Sequence, residues 1–169
     1  MTSPLVQLAK EAIAAYTIGG NTIPPPAELT PEMEPRAGVF VSLHKGEKLR
    51  GCIGTIEPHQ ANVASEIIAN AISAATRDPR FDPVTPSELD GLEISVDVLT
   101  TPESVTDPGA LDPKKYGLIV ECGNRHGLLL PDLPGVTSVQ EQIDICRAKG
   151  GIRPNENVKL FKFEIVRHH

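Results

Sequence analysis

Apolar residues recur at helical spacing near the start of the chain, at Leu5, Leu8, Ala9, Ala12, Ile13 and Tyr16. Ser3-Pro4 supplies an N-cap and a proline at the first helical position, and Gly19-Gly20 stops the run. A second stripe, Ala64, Ile67, Ile68, Ala71, Ile72 and Ala75, predicts a buried helix over 61–76. It breaks at Arg77-Asp78-Pro79-Arg80-Phe81-Asp82-Pro83. A third helix opens at Ser138, which stands three residues before Glu141 in capping-box spacing. It carries Val139, Ile143 and Cys146 on one face and closes at Gly150-Gly151.

Alternating patterns mark the strands. Val39, Val41 and Leu43 alternate with Phe40, Ser42 and His44; beyond Lys45-Gly46-Glu47, Leu49, Gly51 and Ile53 alternate with Lys48, Arg50, Cys52 and Gly54. A three-residue loop pairs Leu43 with Leu49 and His44 with Lys48, which keeps every large aliphatic on one face. Phe40, Ser42 and His44 then share the other face with Arg50 and Cys52. Leu92 to Thr100 reads as a strand with Ile94, Val96 and Val98 inward. Leu118–Cys122, Gly123-Asn124 and His126–Leu130 read as a second hairpin, and residues 158–166 as one final strand. The proline-rich stretch 21–36 is an extended connector. Hairpins with interspersed helices predict an α+β fold built on a mainly antiparallel sheet with flanking helices.

The 169 residues suit one domain over 1–169, with room for a small appended lobe. Aromatic content is only 4%, so the core must come from Leu, Ile, Val and Ala. A net charge of −6 and the lack of a basic face exclude nucleic acid as a primary partner. The apolar runs are too short to span a bilayer, and Met1-Thr2-Ser3-Pro4 has no signal-peptide character, so a cytoplasmic location is expected. Three widely spaced cysteines fit reduced thiols in that compartment.

Chemistry concentrates at the first hairpin. Arg50 and Cys52, two apart on one strand, project from the same face about 7 Å apart. A guanidinium at that range lowers a cysteine pKa, the condition for a nucleophilic or ligating thiol. Gly51 and Gly54 leave room for a ligand, and His44 on the same face is a candidate proton acceptor near the turn. The competing reading makes Cys52 a small core filler. Arg77 and Arg80 likewise have two readings. They are cations at a helix C-terminus, or Arg80 is aimed by a rigid loop into a cleft beside the hairpin, where it anchors a carboxylate or phosphate. Glu121 shares a side with Ile119 and would be a base only if it faced that cleft. Cys122 and Cys146 read as core, His59 and His126 as surface, and no spacing supports a zinc site. No phosphate loop, dinucleotide fingerprint or serine elbow is present, so no cofactor is assigned.

Gly38-Val39-Phe40-Val41-Ser42-Leu43 followed by Leu49-Arg50-Gly51-Cys52-Ile53-Gly54 resembles the signature of the AMMECR-one domain family. That family is named after a human chromosomal region linked to Alport syndrome, midface hypoplasia and elliptocytosis. The similarity continues through Asp78-Pro79-Arg80-Phe81, Val98-Leu99-Thr100, Tyr116-Gly117-Leu118-Ile119-Val120, Gly127-Leu128-Leu129-Leu130-Pro131 and Gln142. It implies a larger and a smaller lobe with the cysteine strand near the groove between them, and no established reaction. It also implies association with a Memo-like protein and a radical S-adenosylmethionine enzyme. Asp97 and Asp132 depart from the residues usual there. Two expectations follow. In one, the chain is an enzyme or enzyme subunit with Cys52 as nucleophile or ligand, Arg50 as its electrostatic partner and Arg80 as anion anchor. In the other, it is a non-catalytic partner or assembly protein whose hairpin is a contact surface.

Overall fold

The helices begin and end where their caps stand. In the computed structural model, which describes residues 2–169, helix α1 spans Pro4–Gly19. The Ser3 hydroxyl accepts the Leu5 N–H at 3.2 Å, and Gly20 closes the helix in the left-handed region at φ 70°. Helix α2, Val63–Thr76, is capped by the Asn62 side chain, which accepts the Ser65 N–H at 2.8 Å. Helix α3, Val139–Gly150, is capped by Ser138 through the Glu141 N–H at 3.1 Å and ends on left-handed Gly151.

Among the described residues, eight strands form two four-stranded sheets. Strands β1 (Val39–Lys45), β2 (Lys48–Gly54), β3 (Glu93–Leu99) and β8 (Ile165–His168) lie in the order β2-β1-β3-β8. Strands β4 (Glu103–Val105), β5 (Gly117–Cys122), β6 (Arg125–Leu129) and β7 (Lys159–Phe163) lie in the order β4-β7-β5-β6. Strand β1 is antiparallel to β2 and β3, and β7 is antiparallel to β4 and β5. The expected final strand over 158–166 is thus two strands, β7 and β8, one in each sheet. Between them the backbone of Glu164 is tied to Thr100 by Thr100 N–H to Glu164 carbonyl at 2.9 Å and Glu164 N–H to Thr100 Oγ1 at 2.8 Å. Strand β4 is too short to leave an alternation in the sequence.

The chain forms two compact units, one running from the N-terminus to Leu99 with Val166–His169, the other Thr100–Ile165. In the first, α1 and α2 bury Leu5, Ala9, Ile13, Ile67 and Ala71 with Val39, Val41, Leu43 and Val96 of the sheet. In the second, Cys146 of α3 packs with Leu118, Val120 and Leu129. The Cys146 thiol donates to the Leu118 carbonyl at 3.5 Å, and burial pushes it up to about 12. This cysteine is a core residue, as its helical spacing predicts.

The first hairpin differs from its sequence reading in register. Lys45 pairs with Lys48, so the turn is the two-residue Gly46-Glu47, with Gly46 at φ 59°. His44 then pairs with Leu49, the register shifts, and Leu43 pairs with Gly51, Ser42 with Cys52 and Phe40 with Gly54. Arg50 is the extra residue of this bulge. Leu49, expected on the apolar face, is 37% exposed instead. The bulge restores the alternation, so the expected shared face of Phe40, Ser42 and Cys52 survives while their pairing moves by two residues.

Candidate functional site at the edge of the first sheet

One face of the first sheet packs on α1 and α2; its other face is polar. Directly paired residues share a face. Ser42, on the central strand β1, is therefore flanked by Cys52 on one side and Ser95 on the other. The next row along is Gly54, Phe40 and Asp97. Cys52 Sγ and Ser42 Oγ lie 3.3 Å apart in a hydrogen bond. The Phe40 ring covers Gly54, where an added Cβ would sit 2.2 Å from it. Asp97 is only 1% exposed and receives a fork from Arg167, at 2.8 and 2.9 Å.

Cys52 lies on β2, an edge strand, so one side of its backbone has no neighbouring strand. The Asp78 carboxylate accepts its N–H at 3.0 Å, and Arg80 Nη2 reaches its carbonyl at 3.5 Å. Asp78 also accepts the backbone N–H of Arg80 at 3.1 Å and its guanidinium at 3.0 and 2.8 Å. Carboxylate and guanidinium together occupy the place where another strand could pair, a device that blunts a sheet edge. The Arg80 hydrogen bond, joined by those from the Cys52 and Arg80 backbones, holds the Asp78 carboxyl well below the usual carboxylate range. The Arg80 guanidinium also lies 5.4 Å from the Phe81 ring centroid. Asp78 thereby sets the Arg80 guanidinium beside the Cys52 backbone.

Arg50 does not serve the thiol. It forks onto Glu88 at 3.0 and 3.2 Å, and Glu88 also receives Lys45 at 2.6 Å and the Thr85 N–H at 2.7 Å. Glu88 belongs to a 3-10 turn, Pro86–Gly91, and these cations hold its carboxyl far below its ordinary value. The expected Arg50–Cys52 partnership is replaced by a tie between hairpin and turn, because the bulge at Arg50 takes it out of the strand's pairing. The direction of the thiol shift is reversed as well. Burial pushes Cys52 up, and this outweighs the lowering by the Ser42 hydrogen bond and the Arg80 charge; Asp97 and Asp78 add to the rise.

The remaining residues singled out from sequence fall as follows. Gly51 is needed for packing: an added Cβ would stand 2.3 Å from the Ala74 carbonyl oxygen of α2. His44 is on the polar face, paired with Leu49 and Glu93, one row beyond Ser42 and toward the turn. Glu121 is half-buried on β5 between His126 and Lys159. Among the described residues no group of three His, Cys, Asp or Glu side chains is placed to hold a metal ion. Ser42, Ser95 and the backbone bond of Asp78 to Cys52 were not legible as site features. Ser42 lay on the right face, but only the true register sets it against the thiol.

A family model, AMMECR1, matches residues 6–168. The chain belongs to the AMMECR1 family. A protein of Thermotoga maritima is 48% identical over 168 residues, covering 98% of this chain and 97% of its own. One from Clostridium acetobutylicum is 49% identical over 98% of this chain, which spans 36% of that longer protein. The crystal structure of an uncharacterized protein from Pyrococcus horikoshii superposes with a TM-score of 0.89 at 36% identity, covering 96% of this chain and 88% of that one. The α+β architecture of this AMMECR1 chain is therefore that of a solved relative. Among its described residues no helix is long and apolar enough to cross a membrane.

Proposed function

We propose that this AMMECR1 protein is an enzyme or enzyme subunit whose site is the Cys52 edge of the first sheet. Cys52 supplies the reacting or ligating thiol, Ser42 holds it, and Arg80 anchors a small anionic group. The observation that supports this reading is the double use of Asp78. One carboxylate binds both the Cys52 backbone and the Arg80 guanidinium, so thiol and cation sit on a common rigid frame. Arg80 remains 56% exposed in its side chain and can receive an anion without leaving Asp78.

The reading is tested by the pH dependence of Cys52 alkylation with iodoacetamide, in a Cys122→Ser protein with peptide mapping to separate Cys146. The expected midpoint lies above the ~8.5 of a free thiol, since burial dominates. Phosphate or citrate is expected to slow the reaction in the parent and not in an Arg80→Met variant. Alkylation that occurs only on unfolding, or that ignores every anion, would remove the proposal.

A second reading, a non-catalytic partner of Memo-like and radical S-adenosylmethionine proteins, draws on the hairpin tip. There Leu49 is exposed beside Lys48, an apolar side chain on an otherwise charged turn. Leu49→Asp is expected to weaken co-purification with such a partner at least tenfold. Binding to neither purified protein would count against it.

A further inference from the structure

The second compact unit has a cleft of its own, distinct from the thiol edge. Thr100, Thr101, Glu103, Tyr116, Lys162 and Glu164 contribute to the lining of a cavity of about 330 Å³. That volume lies at the small end of the ~300–1,000 Å³ usual for small-molecule sites. Glu103 of β4 and Lys162 of β7 are directly paired across the two strands, so their side chains leave the same face as neighbours. Opposite charges so placed ordinarily close on each other. Here no ion pair among the described residues joins them. The Lys162 ammonium instead lies 4.4 Å from the centroid of the Tyr116 ring. The other charges nearby are already matched, Lys115 standing 3.9 Å from Glu164 and 5.0 Å from the same ring.

The backbone of Tyr116 is anchored where it enters β5: its carbonyl accepts Nε2 of Gln142, a fully buried side chain of α3, at 2.9 Å. Lys162 lies against the ring of this residue, and Glu103 beside it has no ion-pair partner among the described residues. A simple anion entering the cleft would gain Lys162 but meet two carboxylates; a simple amine would gain Glu103 but meet Lys162. A ligand carrying both signs a few ångströms apart satisfies each of them. We propose that this cleft binds a free α-amino acid as its zwitterion, with the carboxylate on Lys162, the ammonium on Glu103 and the hydroxyls of Thr100 and Thr101 as further partners.

Titration of the intact protein with L-serine, followed by amide NMR shifts, tests the assignment. Saturable shifts are expected at Thr100, Thr101, Glu103 and Lys162. N-acetyl-L-serine, which lacks the cation, and serinol, which lacks the carboxylate, are each expected to bind at least tenfold more weakly. Lys162→Met and Glu103→Gln are each expected to weaken serine binding at least tenfold, with circular dichroism confirming the fold; if one fails to fold, the other carries the test. Absence of saturation by about 20 mM, far above the ~1 mM that corresponds to a weak specific site, would overturn the proposal. So would equal binding of N-acetyl-L-serine, or of serinol, or variants that bind serine as the parent does.

Discussion

Asp78→Ala is expected to destabilise the protein by about 2–4 kcal/mol and to speed the alkylation of Cys52. The carboxylate is buried and accepts four hydrogen bonds, three from Arg80 and one from the Cys52 backbone. Hydrogen bonds to charged groups contribute about 1.5–3 kcal/mol each, but bonds to one acceptor do not add. Arg80, being half-exposed, recovers much of its hydration once released, whereas the Cys52 N–H is left without its partner. The alkylation rate rises for two reasons: the edge clamp opens, and a negative charge that opposes the thiolate is gone. Urea denaturation checks the first expectation and the iodoacetamide rate the second. Asp78→Asn supplies the pH signature. The folded pKa of Asp78 lies below its unfolded value of 3.8, so its stabilisation is fully present above that value and is lost as pH falls through the folded pKa. The stability gap between parent and Asp78→Asn is expected to be constant above about pH 5 and to narrow toward acid. A gap that does not change with pH would place the Asp78 contribution in packing, not charge.

Gly51→Ala is expected to cost about 3 kcal/mol, and more if α2 cannot shift. The new methyl would stand 2.3 Å from the Ala74 carbonyl oxygen, a backbone atom in the last turn of a helix whose apolar face is buried. Overpacking a well-filled interior costs about 1–3 kcal/mol where side chains can yield, and backbone yields less readily. The same displacement would move Cys52, next in the chain, away from Ser42. Thermal denaturation should therefore show a lower midpoint, and the Cys52 alkylation midpoint should move further up, because the Ser42 hydrogen bond that lowers it is lost. An unchanged melting temperature would mean that Gly51 is not a packing contact and would reopen its reading as room for a ligand.

These two variants rest on contacts that local sequence patterns do not contain. From sequence, Gly51 and Gly54 read as gaps beside a thiol, yet one is filled by the α2 backbone and the other by the Phe40 ring. Whether a strand glycine leaves space or admits a neighbour depends on what the fold brings against it. Arg50 shows the same limit. Two residues from Cys52 on a regular strand, it should share the thiol's face; the bulge and Glu88, thirty-eight residues on, give it another partner.

Periodicity, caps and turn residues settled a good deal without help. The three helices, the two hairpins, the core identity of Cys146, the common face of Phe40, Ser42 and Cys52, and the α+β class all follow from spacings of a few residues. Such spacings express local geometry, the 3.6-residue turn and the two-residue pleat. Tertiary structure alone decided the hairpin register, the division of residues 158–166 between two sheets, the partner of Arg50 and the clamp of Asp78 on the Cys52 edge. Each of these is a competition between partners distant in the chain. Its outcome turns on which buried polar group and which backbone end up adjacent, and a single strand's pattern carries no information about that.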